Sequence, residues 1–246
     1  EKEGILNYFI ETDYAIKMSD HLIKITEGDD SKTVLDIERM LSEFKTETGR
    51  SFLDDEDVFV SDDPEEIITN VMSKGLDWRL NELNISCGPL RKGNFGIISA
   101  TVNQGKTTLL ASEATFMAEQ LEDDEVVVWF NNEEEGTQVK QRIWQAALGW
   151  DRHTLAASPI KTVDELKKVW HGKVDRIKLV DVKQLTTDTA EQVLESLNPG
   201  LIVFDQLYKV FGFTDAFSEY EKQIMLFGWA RSLAHKYAPV ISVHQA

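Results

Sequence analysis

Phe95-Gly96-Ile97-Ile98-Ser99-Ala100-Thr101-Val102-Asn103-Gln104-Gly105-Lys106-Thr107-Thr108 is the stretch that decides the fold. Its first six residues form an apolar run of strand length. Ala100 to Thr108 then follow the spacing of a P-loop, with Ala where the first Gly is usual. Such a loop wraps phosphates with backbone N–H groups, and the helix behind it presents its positive end to the anion. Gly105 allows close backbone approach, Lys106 reaches the β- and γ-phosphates, and the Thr107 hydroxyl can ligate Mg2+. Ala100, Asn103, Gln104, Gly105, Lys106, Thr107 and Thr108 are the candidate nucleotide-binding residues. The loop sits between a predicted strand and a predicted helix over 106–120, the setting that this chemistry needs.

Outward from this stretch, strands and helices alternate. Val126–Phe130 is strand-like, and 137–147 carries Val139, Ile143, Ala146 and Ala147 along one helical face. Thr162-Val163-Asp164-Glu165 has capping-box spacing and predicts the start of another helix. Ile177–Val180 and Leu201–Phe204 read as strands, Asp188–Leu197 and 216–237 as helices, and Val240–Val243 as a last strand. Strands separated by helices imply parallel pairing through crossovers, so the predicted fold is an open α/β sheet.

Three further runs carry chemistry. Leu201-Ile202-Val203-Phe204-Asp205 is an apolar strand ending in one acid. A strand ending in Asp is common, but downstream of a P-loop it reads as a Walker B strand, with Asp205 holding the water shell of Mg2+. Phe130-Asn131-Asn132-Glu133-Glu134-Glu135-Gly136 leaves the strand that follows the P-loop helix. A carboxylate there can orient or deprotonate an attacking water, although three acids at a helix start also suit the helix dipole. Val243-His244-Gln245 closes the last strand, where His244 or Gln245 can hydrogen-bond a γ-phosphate. The histidines His21, His153, His171 and His235 have no metal-ligand spacing to one another or to Cys87. Trp78, Trp129, Trp144, Trp150, Trp170 and Trp229 read as core. Lys167, Lys168, Lys173, Arg176 and Lys178 form a modest basic cluster, either a nucleic-acid contact or the exposed face of a capped helix.

The 246 residues suit one large α/β domain, or one domain with a smaller appendage, and the net charge is −17. The charge is uneven. Residues 1–90 hold 9 Lys and Arg against 22 Asp and Glu, a balance of −13, and residues 91–246 hold 17 against 21, a balance of −4. That excludes a uniformly basic nucleic-acid-coating protein, though not local basic loops. The lone Cys87 excludes an internal disulfide framework and zinc modules built on Cys pairs. No apolar run approaches the roughly 18 residues of a membrane span. A soluble, cytoplasmic protein without membrane partners is expected. Residues 5–50 carry apolar positions at mixed three and four spacings and read as helices. Residues 51–66 are strongly acidic and read as a linker, and Asp63-Pro64-Glu65-Glu66 predicts a helix start running to about Ser73 before Gly75. The chain begins with Glu1 and ends just after an apolar run, which reads as a fragment.

As a set, residues 75–246 resemble the ATPase core of the RecA/DnaB superfamily, closest to DnaB-type ring helicases of the kind bacteriophages encode. The resemblance begins in Gly75-Leu76-Asp77 through Leu83 to Gly88-Pro89-Leu90-Arg91-Lys92-Gly93, similar to the family's lead-in to its first core strand. The Ala-x4-Gly-Lys-Thr form of the P-loop is also the helicase form. The resemblance implies a RecA-like parallel sheet flanked by helices and Mg2+-dependent ATP hydrolysis. Assembly would be a ring, a hexamer, or a filament that moves along single-stranded DNA, with an arginine supplied by the neighbouring subunit and primase or other replication proteins as partners. It assigns water activation to Glu133, with Glu134 second, the Walker B role to Asp205, and γ-phosphate sensing to Gln245, with His244 adjacent. The organisation expected is a helical N-terminal region over 1–50, an acidic linker and linker helix over 51–74, and a C-terminally incomplete core over 75–246. Three functions fit these residues: a replicative helicase motor, a RecA-like recombinase, and an ATP-controlled assembly factor that unwinds nothing.

Overall fold

The computed structural model describes residues 2–28, 33, 36–37, 39–41, 44, 63–101, 103–213 and 218–245. The chain divides into two compact units, Glu1–Met72 and Ser73–Ala246. In the first, one long helix, α1 (Lys2–Thr26), covers the start of the region read as helical. Asp13–Lys17 at 2.6 Å and Asp20–Lys24 pair along it at the i, i+4 spacing that supports exposed helices. The second described helix, α2 (Pro64–Val71), starts as predicted: Asp63 Oδ1 accepts the Glu65 N–H at 3.0 Å, Pro64 opens the first turn, and Glu65 and Glu66 face the positive dipole end. Most of the acidic run 51–66 lies outside the described residues.

In the second unit a short helix, α3 (Asn81–Cys87), precedes the sheet. The strands are β1 (Phe95–Ala100), β2 (Val126–Asn131), β3 (Ile177–Asp181), β4 (Pro199–Asp205) and β5 (Val240–Gln245). They pair in the order β1-β5-β4-β2-β3, every pairing parallel. Parallel neighbours need long crossovers, supplied by α4 (Lys106–Ala118), α5 (Gly136–Leu148), α6 (Arg152–Ala157), α7 (Pro159–Val169), α8 (Thr187–Glu195) and α9 (Glu219–Lys236). Alternate strand residues face opposite layers. Val127, Trp129, Leu201, Val203, Ile241 and Val243 pack with α4, α5 and α7. Val128, Phe130, Ile202, Phe204 and Val240 pack with α8 and α9, and Phe130 stacks on Phe204 at 4.9 Å. Both faces of the sheet are therefore buried, which is why its strands read as unbroken apolar runs rather than alternating ones.

The segment before β1 is pinned to the P-loop helix. Leu76 and Leu90 exchange two backbone hydrogen bonds at 2.8 Å, and the Arg79 N–H donates at 2.6 Å to the buried carboxyl of Glu113 on α4. Burial pushes that carboxyl above its ordinary pKa, partly opposed by the N–H donors of Arg79 and Leu80.

Two local expectations need correction. Thr162 does not open a helix; α7 begins three residues earlier, with Ser158 as cap and Pro159 at its first position, and the Thr162 hydroxyl donates back to the Ser158 carbonyl at 3.0 Å. Proline's fixed φ and missing donor suit the first turn, and that signal outweighs the capping-box spacing. Arg176 is not part of an exposed basic cluster. It is fully buried, with its guanidinium donating to the carbonyls of Ala118 at 3.2 Å, Asp123 at 3.0 Å, Glu125 at 3.2 Å and Leu121. Carbonyls at a helix end and in the loop after it need donors, and one guanidinium satisfies that of Ala118 and three more between α4 and β2.

Candidate active site

The carboxyl ends of the strands collect the polar residues. Register places Ala100 beside Gln245, and Asn131 between Asp205 and Asp181. A cleft of about 250 Å³ opens there, lined by the P-loop, Glu133, Glu134, Arg142 and Gln245. Such a crevice at the point where strand order reverses is where open α/β sheets hold ligands.

The P-loop takes its shape from its own backbone. Asn103 and Gly105 both have positive φ, 61° and 80°, a left-handed conformation in which successive N–H groups turn inward. Gly105 caps α4 from that conformation. Gln104 and Thr108 are exposed beside it. The Lys106 ammonium lies over the loop, donating to the carbonyls of Ala100 at 3.0 Å and Thr101 at 2.8 Å.

Thr107, in the first turn of α4, donates its hydroxyl to Asp205 Oδ1 at 3.4 Å. Both residues are buried, and Asp205 Oδ2 has no hydrogen-bond partner. Burial raises the Asp205 carboxyl most, the Thr107 hydroxyl opposes this, and the charges of Glu133 and Glu134 add to it, so the pKa is pushed up to about 6. An orphaned carboxylate oxygen beside a hydroxyl is a hard-oxygen pair, the chemistry that suits a hydrated divalent cation such as Mg2+.

The three acids after β2 have separate surroundings. Glu134 forms a two-pronged pair with Arg142 at 3.0 and 2.9 Å. Glu135 caps α5 and accepts from the Thr137 hydroxyl. Glu133 accepts from Gln206 Nε2 and lies 3.8 Å from Lys209 Nζ, while lining the cleft. Sequence reasoning left Glu133 and Glu134 unresolved on residue type alone; the Arg142 fork occupies both oxygens of Glu134.

The two residues ending β5 also separate. Gln245 lines the cleft. The His244 ring lies edge-on to Tyr208 at 5.4 Å and Phe227 at 6.2 Å, among aromatics instead. Alternation along a strand puts neighbours on opposite faces, and of these two Gln245 is the one on the cleft.

Several residues that hold this site escaped the sequence reading. Asp181, ending β3, accepts from Asn131 Nδ2 at 2.8 Å and from the Gly136 N–H at 3.1 Å. A Cβ on Gly136 would lie 2.4 Å from Asp181 Oδ2, so a larger residue there would push the Asp181 carboxylate out of place. Asn132 exchanges two hydrogen bonds, 3.0 and 3.1 Å, with the backbone of Gln206. The available signal was Asp181 itself, a second acid at a strand's carboxyl end. No cluster of His, Cys, Asp or Glu able to hold a metal alone occurs among the described residues. No helix among them is long and apolar enough to cross a membrane.

Residues 61–246 match the AAA domain family. The chain belongs to that family. Among solved structures it is similar to one described as an ATPase domain, at TM-score 0.58 and 17% identity, covering 76% of this chain and 72% of that one. It is also similar to a DnaB-like replicative helicase whose structure is described together with its interactions with primase, at TM-score 0.58 and 17% identity, covering 96% of this chain. The chain spans 59% of the length of that helicase. No curated protein matches. This AAA-family chain has the parallel α/β sheet that its strand pattern predicted, in the five-stranded, helix-flanked form of RecA/DnaB-type ATPase domains that the resemblance implied.

Proposed function

We propose that this chain is the ATP-hydrolysing motor of a ring-forming replicative DNA helicase acting on single-stranded DNA in the cytoplasm. The observation that carries the reading is the convergence of Lys106, the Thr107–Asp205 pair and Glu133 on one cleft at the strand ends. Likeness to DnaB-type ATPase domains favours a helicase among P-loop ATPases. Nucleotide phosphates sit against the N–H groups of Asn103–Thr108, with Lys106 leaving the loop carbonyls for the β- and γ-phosphates. Thr107 and Asp205 would hold Mg2+, which would offset charge on the phosphate oxygens. Glu133 orients a water in line with the γ-phosphorus and takes its proton as the new P–O bond forms and the bond to ADP breaks. Gln245 donates to a γ-phosphate oxygen and so registers its loss. Further copies of the chain complete the ring and supply an arginine, and a primase is a partner class that suits such a motor.

The test is steady-state ATPase of the full-length protein with and without single-stranded DNA, followed by strand displacement from a forked duplex. Stimulation and unwinding support the motor. Stimulation without unwinding points to a recombinase. Binding of ATP with no response to DNA overturns the motor and leaves an ATP-controlled assembly factor, the reading that a net charge of −17 favours. Glu133→Gln is expected to retain ATP binding and lose hydrolysis; retained hydrolysis would move the water-activating role to Glu134.

A further inference from the structure

We propose that Gln206 and Lys209 are positioning residues that fix the Glu133 carboxylate from the exit of β4, a proposal that rests on Glu133 directing the attacking water. Gln206 follows Asp205 directly and is 1% exposed. Its backbone is held on both sides by one side chain: its N–H donates to Asn132 Oδ1 at 3.0 Å and its carbonyl accepts from Asn132 Nδ2 at 3.1 Å. The residue beside Glu133 therefore sets where Gln206 lies, and Gln206 Nε2 then donates to Glu133 Oε2. A carboxylate only accepts, so the amide must turn its nitrogen toward Glu133. Its oxygen is left buried without a partner. An unpaired buried amide oxygen is a burden on folding that an apolar side chain of equal length would remove. The amide's contribution lies in its bond to Glu133.

Lys209 acts on the other oxygen. It sits on a 3₁₀ turn, Leu207–Lys209, with its ammonium 3.8 Å from Glu133 Oε1. Both oxygens are thus addressed from the β4 side, while Glu133 also lines the cleft that it shares with the P-loop. Restricting a carboxylate's rotation in this way places a water without adding any contact to nucleotide. These residues therefore act on kcat rather than on ATP affinity.

The experiment compares Gln206→Met, Lys209→Ala, Glu133→Gln and the Gln206→Met/Glu133→Gln double variant in the full-length protein, measuring kcat, KM, ATP Kd and Tm. For Gln206→Met the expected result is a kcat lower by about 10- to 100-fold, with Kd within about twofold and Tm unchanged or higher. Lys209→Ala, at a partly exposed site that tolerates truncation, loses kcat by about 3- to 10-fold with the same Kd. In the Glu133→Gln background Gln206→Met adds nothing, because its only route to the chemistry is gone. If Glu133→Gln is inactive while Gln206→Met and Lys209→Ala turn over normally or faster, the positioning proposal is overturned and the role of Glu133 stands. If Glu133→Gln hydrolyses normally, both fall. A matched loss of ATP affinity and Tm for Gln206→Met, with Lys209→Ala unaffected, would make Gln206 a structural residue only and overturn the proposal.

Discussion

Two loops face each other across the cleft at the strand ends, and they are held in opposite ways. The P-loop, Asn103–Lys106, is exposed and shaped by its own backbone: two left-handed residues, and a lysine bonded to carbonyls no more than six positions away. The acidic loop, Asn131–Gly136, is shaped by distant partners. Asp181, fifty positions from Asn131, ties it to β3, and Gln206, seventy-four positions from Asn132, ties it to β4. A loop that stores its shape locally tolerates changes in the rest of the fold; one that borrows its shape fails when any lender is altered.

Lys106→Ala breaks the comparison on the P-loop side at its one indispensable side chain. Turnover is expected to fall by about a thousandfold or more, with the fold intact by circular dichroism, because positioning and charge on the phosphates are the catalysis. Asp205→Asn probes the floor between the loops. The Asp205 carboxyl, pushed up to about 6 from 3.8, binds a proton more tightly folded than unfolded. Its contribution to stability is therefore complete below pH 4 and is lost as pH rises through 6. Nucleotide-free and Mg2+-free, the variant should gain up to about 3 kcal/mol over wild type in urea unfolding at pH 7.5, a gain that shrinks toward pH 4. No gain at pH 7.5 would mean that the carboxyl titrates near its ordinary value. ATPase activity should be lost in the same variant.

Gly136→Ala tests the borrowed shape directly. Its Cβ meets Asp181 Oδ2, so either the Asp181 carboxylate or the loop must shift and the bonds between them are strained, with an expected cost of about 2 kcal/mol in chemical denaturation and a clear fall in kcat. Asn103→Gly is the matching change in the P-loop, at a left-handed residue that glycine adopts freely. It should alter stability by less than about 1 kcal/mol and leave ATP Kd nearly unchanged. If the two glycine-related changes prove equally costly, the contrast between the loops is wrong.

The same contrast explains what could be read in the sequence. The P-loop, the alternation of strands and helices, and Asp205 at the end of an apolar strand are local patterns, and each was legible. The four-carbonyl role of Arg176 was not, because a basic residue in a polar stretch looks the same whether its partners are water or a helix end. Asp181, Asn132, Gln206 and Arg142 share that difficulty, since what defines them is pairing across the sheet. At Thr162 two local signals competed, and only the backbone start at Pro159 decided between them. The short helices Asn81–Cys87 and Arg152–Ala157 span too few turns for periodicity to mark them.

The Arg176 fork has a consequence for how the P-loop helix moves. Its final carbonyl, that of Ala118, is held by Arg176 together with the loop carbonyls that lead into β2, while its first turn is capped by Gly105 without a side-chain bond and held to the sheet through Thr107 and Asp205. Amide exchange along Lys106–Ala118 should therefore be graded, with protection rising from the front turn to a rear that opens only when the domain unfolds as a whole. A helix held more firmly at its rear than at its front is expected to pivot rather than slide. Capture of a phosphate would then be a small rotation about the Arg176 end, larger at Thr107 than at Ala118.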